Sequence, residues 1–377
     1  MPIDSLEVVG PFKGSSGYDR HTREFVRQFV RMGLRVQLTN LTGWSVELPA
    51  AAREPMFDAL SSPVEADTVL HFTMPNHAVP RPGKRNVNYT MFEADRIPAD
   101  WAARAYDHEL VIVPTESSFR AWASSGVAQS KLRICPLGVD GEFFSRPAEP
   151  LTALGPGDRP VVSYRARFLN ISELRPRKNQ LGLLRTWIRA TDSDDDAILI
   201  LKISAFQSHL LRQFQDDLTQ MQARLGRSLQ HCAPVIMITQ LLPDAVMPSL
   251  YRMGTHYISM SHGEGWDQPM MEAASAGLGL IAPCHSAYTS YLRDEDADLI
   301  PASLVPVVFE GSAGAEDHVF FDNLSWWQPD EEAAVEIIRG IVRGTRPVKH
   351  SPKQRIIADY TWEKAARRLI EILEEGE

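Results

Sequence analysis

The sequence predicts an α/β protein with two Rossmann-like, doubly wound domains that face each other across a cleft. Three observations support this fold class. The chain has 377 residues, more than twice the length of a typical domain. Short β-branched runs alternate with helical patterns from the start, as in a parallel sheet covered by helices. The same alternation occurs twice, on either side of the Pro- and Gly-rich segment 147–160.

The domain boundaries follow from these two series. We expect an N-terminal domain over 1–155, a C-terminal domain over 156–355, and a helix over 356–377 that packs on a domain surface. Between the first two strands, apolar residues at helical spacing predict a helix that is closed by Gly33. Strands are predicted at 6–9, 35–39, 68–72, 87–90, 110–113, 168–172, 197–202, 235–239, 256–259 and 279–282.

Charge and cysteine content exclude several classes of function. The formal net charge is -9, from 48 acidic and 39 basic residues, which disfavours nucleic acid as the main partner. A local basic patch that faces an anionic donor or a membrane surface is compatible with this total. Cys135, Cys232 and Cys284 are far apart and match no zinc or disulfide spacing, so idle thiols in a reducing cytosol are favoured.

The N-terminus shows no basic region followed by an apolar stretch, and no apolar run reaches the ~20 residues that span a bilayer. We therefore expect a cytoplasmic protein without a transmembrane segment.

The first loop, at Gly14, Ser15, Ser16 and Gly17, lies between a predicted strand and a predicted helix. Backbone N–H groups and the helix dipole favour an anion at such a position. The spacing matches neither GxGxxG nor the P-loop, so dinucleotide binding and phosphoryl transfer are not supported. A plain tight turn explains the loop equally well.

Three cations, Arg175, Arg177 and Lys178, follow the strand 168–172 and precede a predicted helix. Cations near a helix N-terminus cost stability unless an anion neutralises them. We interpret them as a clamp for a diphosphate. The alternative is a solvated loop.

The segment 261–277, SHGEGWDQPMMEAASAG, also follows a strand. Its glycines form a tight loop, and Pro269 suits the first turn of the next helix. Glu264 lies in the loop and Glu272 in the first turn, so the two carboxylates serve different positions of one ligand. An acidic first turn after a Gly-rich loop would account for Glu272 alone.

This segment resembles the Glu-x7-Glu motif of retaining GT-B glycosyltransferases, in particular glycosyltransferase family 4, whose usual form is EGFGLPxxE. Residues 168–179 resemble the family's strand and phosphate-binding lysine loop, and 134–140 resemble its PxGVD stretch. Two features depart from the family: Glu173 stands where Arg is common, and Trp266 with Asp267 replaces Phe-Gly. These departures concern the identity of the donor and keep a catalytically silent module open as an alternative.

The resemblance implies transfer of a sugar from a nucleotide sugar, such as a UDP- or GDP-sugar, to a glycan, lipid or small-molecule acceptor, with retention and without a metal. Lys178 and Arg177 would stabilise the leaving diphosphate, Glu264 would contact the sugar, and Glu272 would bind the ribose. A Lys178→Ala change should then lower the rate while barely affecting thermal unfolding. The other donor contacts that we predict, from the residues or from the resemblance, are Gly14, Ser15, Ser16, Gly17, Arg175, Gly263, Gly265, Trp266, Met270 and Met271.

Two further residues are weaker candidates for acceptor contacts. Glu93 follows a strand in a polar cluster, although a surface or capping acid fits equally well. His71 lies at another strand end, where a hydrogen-bonded core histidine is an equal alternative. The acidic run 192–196 could be mistaken for a metal-binding DxD motif, but a solvated turn is favoured, and no metal site is expected.

Overall fold

The computed structural model describes residues 3–204, 208–312, 314–347 and 349–375. Its chain forms two compact units, one of Met1–Val139 with Ala358–Glu377 and one of Asp140–Ile357. The units therefore divide at 139, whereas the sequence suggests a boundary at 155. Segment 147–160 lies within the second unit, where the Leu151 amide donates to the Ser249 carbonyl over 3.2 Å.

The first unit contains one six-stranded parallel sheet. Its strands and helices are β1 (Ser5–Gly10), α1 (Gly17–Arg31), β2 (Arg35–Asn40), α2 (Pro55–Ala59), β3 (Thr68–Phe72), β4 (Arg85–Tyr89), α3 (Ala99–Arg104), β5 (Leu110–Val113), α4 (Glu116–Ser124) and β6 (Leu132–Ile134). The strand order is β2-β1-β3-β4-β5-β6, and every neighbouring pair is parallel.

The second unit contains another six-stranded sheet and a small hairpin. The elements that follow β6 are α5 (Gly141–Ser145), β7 (Ala166–Glu173), α6 (Gln180–Ala190), β8 (Ala197–Ser204), α7 (Ser208–Leu225), β9 (Val235–Ile238), α8 (Met247–Tyr251), β10 (His256–Ile258), α9 (Gln268–Ala276), β11 (Gly279–Pro283), α10 (Tyr288–Tyr291), β12 (Asp298–Ile300), β13 (Ala302–Pro306), α11 (His318–Phe321), β14 (Ser325–Pro329), α12 (Glu331–Arg343), α13 (Lys353–Asp359) and α14 (Trp362–Glu374).

The second sheet has the order β12-β11-β10-β7-β8-β9 and is parallel throughout. Strands β13 and β14 form a separate antiparallel pair. One face of the sheet packs on a continuous apolar core that includes Phe168, Trp187, Leu199 and Ile338, all without exposed surface. Because the strands are buried on both faces, their sequences are nearly continuous apolar runs.

Helix α1 shows how the sequence fixes an element. Ser16 and Asp19 form a capping box at its start, and Gly33 adopts a φ of 87° just beyond its end. Its apolar face is buried, and Phe25 meets Trp362 of α14 with ring centroids 5.6 Å apart. The final helix therefore packs on the first unit, which the chain leaves at Val139 and enters again at Ala358.

The predicted α/β class with two doubly wound parallel sheets is confirmed. Every strand that the sequence predicts is present, with ends displaced by at most one or two residues. Strands β6 and β12 and the hairpin β13–β14 are not anticipated from the sequence. Within the described residues, no helix is long and apolar enough to cross a membrane.

Candidate functional site

The carboxyl edge of the second sheet brings the loop after β7 against the loop after β10. The backbone carbonyl of Arg177 accepts hydrogen bonds from the His262 amide (2.8 Å) and from Ser261 Oγ (3.1 Å). Asn179 caps α6 with a φ of 52°, and its Nδ2 donates to the Met260 carbonyl over 2.9 Å. These bonds fix the two loops relative to each other.

Between these loops lies an ion cluster formed by two cations and one acid. Lys178 Nζ is 2.6 and 2.8 Å from the two carboxylate oxygens of Glu264. Arg177 Nη1 is 3.2 Å from Glu264 Oε2 and also donates to the Gly263 carbonyl. The Glu264 side chain is only 5% exposed, and each cation is 17% exposed. The structure therefore joins three of the predicted site residues directly.

The charges around Glu264 determine its ionisation. Burial alone would raise the pKa of this carboxyl group, but the charges of Lys178 and Arg177 outweigh burial and hold the pKa below its ordinary value. Glu264 is therefore an anion at neutral pH. The cluster has one more positive than negative charge, which suits an additional anionic ligand.

The backbone of Glu264 is held from a third loop, after β11. The Glu264 amide donates to Ser286 Oγ over 3.1 Å, and His285 lies 2.8 Å from the same hydroxyl through Nδ1. Burial lowers the pKa of His285 to about 3, so its imidazole is neutral. His285 and Ser286 are not singled out by the sequence analysis, although their place after a predicted strand is the signal that could have found them.

The hairpin β13–β14 packs against both the loop after β10 and the loop after β11. The His262 ring stacks on Trp326 with centroids 4.2 Å apart, and the His285 ring stacks on Trp327 at 5.3 Å. The Trp327 amide donates to the His262 carbonyl over 3.0 Å. No pattern in the sequence indicates this support.

The loop after β10, residues 259–267, contains the start of the motif, and we call it the motif loop. Its end forms a buried polar network at the start of α9. Asp267 has a φ of 59° and is 7% exposed, and its Oδ2 lies 2.7 Å from the Tyr288 hydroxyl. Burial and the charge of Glu264 raise the pKa of Asp267 to about 7. Trp266 is buried beside Tyr291, which donates to its carbonyl over 3.0 Å.

Glu272 lies deeper in the same helix, with 1% of its surface exposed. Its Oε2 accepts a hydrogen bond from the Tyr251 hydroxyl over 2.7 Å. The amides of Met270 and Met271 donate to the Asp267 carbonyl at 3.1 and 3.4 Å, within the first turn of α9. Both methionine side chains are buried. Contact of their amides with a phosphate stays a prediction.

Arg175 pairs with acids other than Glu264. Its guanidinium pairs with Glu173 at 3.1 Å, Glu316 at 3.1 Å and Asp317 at 3.2 Å. Two of these acids, Glu316 and Asp317, come from the segment between β13 and β14. The second cation beside Lys178 is therefore Arg177. Gly263 and Gly265 are buried in the motif loop on either side of Glu264.

In the first unit, the loop after β1 is held by the Asp19 side chain from the first turn of α1. The Asp19 carboxylate accepts from the amides of Gly14 (2.7 Å) and Ser16 (3.1 Å) and from the Ser45 hydroxyl (2.7 Å). The amides of Gly14 and Ser16 thus have a partner within the first unit, and their contact with a donor stays a prediction. Ser15 and Gly17 are exposed, and their contact with a donor stays a prediction.

The two acceptor candidates lie at the carboxyl edge of the first sheet. His71 has no exposed surface, its Nε2 is 3.1 Å from Asn86 Oδ1, and burial lowers its pKa to about 4. It has the surroundings of a core histidine. Glu93 is half-buried and close enough to Tyr18 for its charge to affect the pKa of that hydroxyl group.

The acidic run 192–196 forms a turn whose ends pair with arginines. Asp192 lies 2.5 Å from Arg227, and Asp196 lies 2.5 Å from Arg159. Across the residues that the structure describes, no group of three or more His, Cys, Asp or Glu side chains is arranged to hold a metal ion.

No family model and no curated protein matches this sequence. Among solved structures, the chain is similar to HepE of Anabaena in complex with UDP and glucose, with a TM-score of 0.67 and 12% identity over 98% of this chain and 99% of that one. Sucrose-phosphate synthase of Thermosynechococcus elongatus gives 0.65 and 12% over 99% and 98%. The apo structure of OtsA gives 0.64 and 10% over 98% of both chains.

At such identities the likeness concerns the fold alone. It extends over nearly the whole length of each compared chain. The two parallel six-stranded sheets with flanking helices, together with these comparisons, show that the chain has the GT-B fold.

Proposed function

We propose that this protein is a retaining, metal-independent glycosyltransferase that moves a sugar from a nucleotide-diphosphate sugar to an acceptor hydroxyl. The observation on which the proposal depends is the ion cluster of Lys178 and Arg177 with the buried Glu264 at the carboxyl edge of the second sheet. Open α/β sheets bind ligands at this edge. The fold and the Glu-x7-Glu resemblance support the same reaction.

In the proposed mechanism, the cations act on the leaving group. The bond between the anomeric carbon and the diphosphate oxygen breaks, and negative charge develops on the diphosphate. Lys178 and Arg177 stabilise that charge from fixed positions. Lys178 has three N–H donors, of which Glu264 uses two, so the third can face a phosphate oxygen.

The acceptor oxygen attacks the anomeric carbon on the face that the diphosphate leaves. Its proton passes to the departing phosphate oxygen, so no side chain has to act as a nucleophile and the configuration is retained. Glu264 contacts the sugar, where its negative charge favours an oxocarbenium-like state. Glu272, held by Tyr251, binds the ribose.

The neighbours guide the choice of donor to test first. HepE has been crystallised with UDP and with UDP-glucose. We therefore propose a UDP-sugar as the first candidate and a GDP-sugar as the second. The acceptor is a glycan, a lipid-linked sugar or a small molecule.

A catalytically silent module that binds nucleotide sugars is the second candidate. Glu264 is already neutralised by two cations, and Arg175 is engaged by three acids, so a binding role without turnover accounts for both features. The two candidates differ in one measurable product, the free nucleoside diphosphate.

The test is release of UDP or GDP from UDP-glucose and GDP-mannose, measured with a coupled assay, in the presence and absence of simple glycosides. The enzyme hypothesis requires turnover by the wild type that Lys178→Ala reduces strongly. Lys364→Ala is the matched control, because Lys364 is exposed and its nearest acid is 3.9 Å away. Saturable binding of the nucleotide sugar without any release would support the silent module.

A further inference from the structure

One buried lysine of the second unit has no counter-charge. Lys202 lies near the carboxyl end of β8, and only 5% of its surface is exposed. Within the described residues, its ammonium group makes one hydrogen bond, to Ser204 Oγ at 3.4 Å, which is long for such a bond. Among the side chains in the described part of the chain, no carboxylate forms an ion pair with it.

Burial of this unpaired ammonium group reduces the stability of the fold. Lysine is almost never fully buried unless it is paired, because an ammonium group loses its hydration in the interior. Burial lowers the pKa of Lys202, and no neighbouring charge opposes that shift. Lys178 of the same unit differs from Lys202, because the Glu264 carboxylate lies 2.6 Å from its ammonium group and neutralises it.

The position of Lys202 in the sheet relates it to the candidate site. Lys202 pairs in register with Ile171 of β7. Strand β7 ends two residues later, at Glu173, and the loop that contains Lys178 begins there. Leu201 and Ile203 belong to the apolar core on one face, so Lys202 projects from the opposite face.

Tyr257 of β10 lies on this same face. It pairs with Leu169, whose neighbour Phe168 belongs to the core. Its ring is 6.5 Å from that of Tyr251, which donates to Glu272. Tyr251 and Glu272 therefore lie on the side of the sheet from which Lys202 projects.

We propose that Lys202 is a further donor-binding residue, whose ammonium group binds a phosphoryl oxygen of the nucleotide. This inference rests on the proposed function, because the nucleotide is the anionic ligand of that reaction. A phosphate oxygen supplies the counter-charge that Lys202 lacks, and a charge-assisted hydrogen bond forms in a site that is already shielded from water.

The test is calorimetric titration of the full chain with UDP, GDP and uridine. Lys202→Met keeps the length of the apolar stem and removes the charge. We expect the Kd for the nucleotide that the wild type binds to rise about tenfold to a hundredfold, as for loss of a hydrogen bond to a charged group. Binding of uridine should be unchanged, because uridine has no phosphate.

A melting experiment without ligand distinguishes this role from a structural one. Lys202→Met should melt at the same temperature as the wild type or higher, because an unpaired buried charge is removed. Lys202→Gln is the second variant if the first does not fold, and Lys364→Met is the surface control.

The outcomes separate this inference from the proposed function. If the wild type binds UDP but never transfers a sugar, the proposed function is wrong and Lys202 is still tested by the titration. If Lys202→Met binds the nucleotide as tightly as the wild type, or loses uridine affinity to the same extent, the inference alone is overturned. Failure of the wild type to bind either nucleotide contradicts both.

Discussion

The ion pair between Lys178 and Glu264 makes Lys178→Ala a test of stability as well as of catalysis. From the sequence alone, this change is expected to leave thermal unfolding nearly unaffected. In the structure, Lys178 Nζ contacts both oxygens of a carboxylate that is 5% exposed. Its removal leaves Glu264 with Arg177 as the remaining charged partner that the structure records, at 3.2 Å.

The size of the stability loss follows from this geometry. Removing one partner of a buried ion pair costs about 3–5 kcal/mol. Because Arg177 remains and Lys178 is 17% exposed, we expect a smaller decrease in the free energy of unfolding, about 1–3 kcal/mol. The loss in kcat should be about 2–4 kcal/mol of transition-state stabilisation, or roughly 30-fold to 1000-fold.

A double variant separates the two effects. Lys178→Ala with Glu264→Gln removes the cation and the buried anion together, so most of the lost stability should return while activity remains low. Urea unfolding followed by fluorescence measures the free energy, and the coupled assay measures turnover. If the single variant is as stable as the wild type, or if the double variant is the less stable of the two, the assignment of Glu264 as a buried anion held by Lys178 is wrong.

Three further predictions concern the same site. Glu264→Gln should mainly lower kcat and should leave the affinity for UDP equal or tighter, because Lys178 and Arg177 lose the carboxylate that neutralises them. Glu272→Gln should instead raise the KM for the donor. Calorimetry with UDP compares the two variants. Burial and the charge of Glu264 raise the pKa of Asp267 to about 7, above the 3.8 of a free aspartate. Between about pH 4 and 7 the folded state therefore holds a proton that the unfolded state has lost. The free energy of unfolding should fall as the pH rises through this range, by up to about 1.4 kcal/mol per pH unit. Asp267→Asn, which tolerates the positive φ and still accepts from Tyr288, should flatten this dependence in urea titrations; an unchanged slope would assign it to another group. Turnover should survive excess EDTA, and strict dependence on added Mg²⁺ or Mn²⁺ would refute charge stabilisation by side chains alone.

The fold is accessible from the sequence because its strands are long apolar runs between turn signals. Strand β8 is buried on both faces, and six of its eight residues are Ile, Leu or Ala, so the sequence shows it as a continuous apolar run. Strands β6 (LRI) and β12 (DLI) have three residues each, one of them charged, so neither stands out as an apolar run. The hairpin β13–β14 is half-exposed, so its composition does not separate it from a loop.

The candidate site is accessible only in part. Both Lys178 and Glu264 follow predicted strands, so their presence at one sheet edge could be expected. Their direct ion pair could not, because 86 positions separate them and side-chain directions depend on tertiary packing. The engagement of Arg175 by Glu316 was hidden for the same reason, since it depends on a segment without a periodic pattern.

The return of the chain to its first unit has a consequence for synthesis and for protein engineering. The Val139 amide donates to the Tyr360 carbonyl over 2.7 Å, and a Cβ on Gly138 would lie 2.3 Å from the Trp362 nitrogen. A ribosome releases Met1–Val139 long before Ala358–Glu377. During synthesis, the surface of the first unit on which Trp362 packs therefore stays exposed until the C-terminal segment is made. A fragment or chimera cut at Val139 needs this segment attached again to cover that surface.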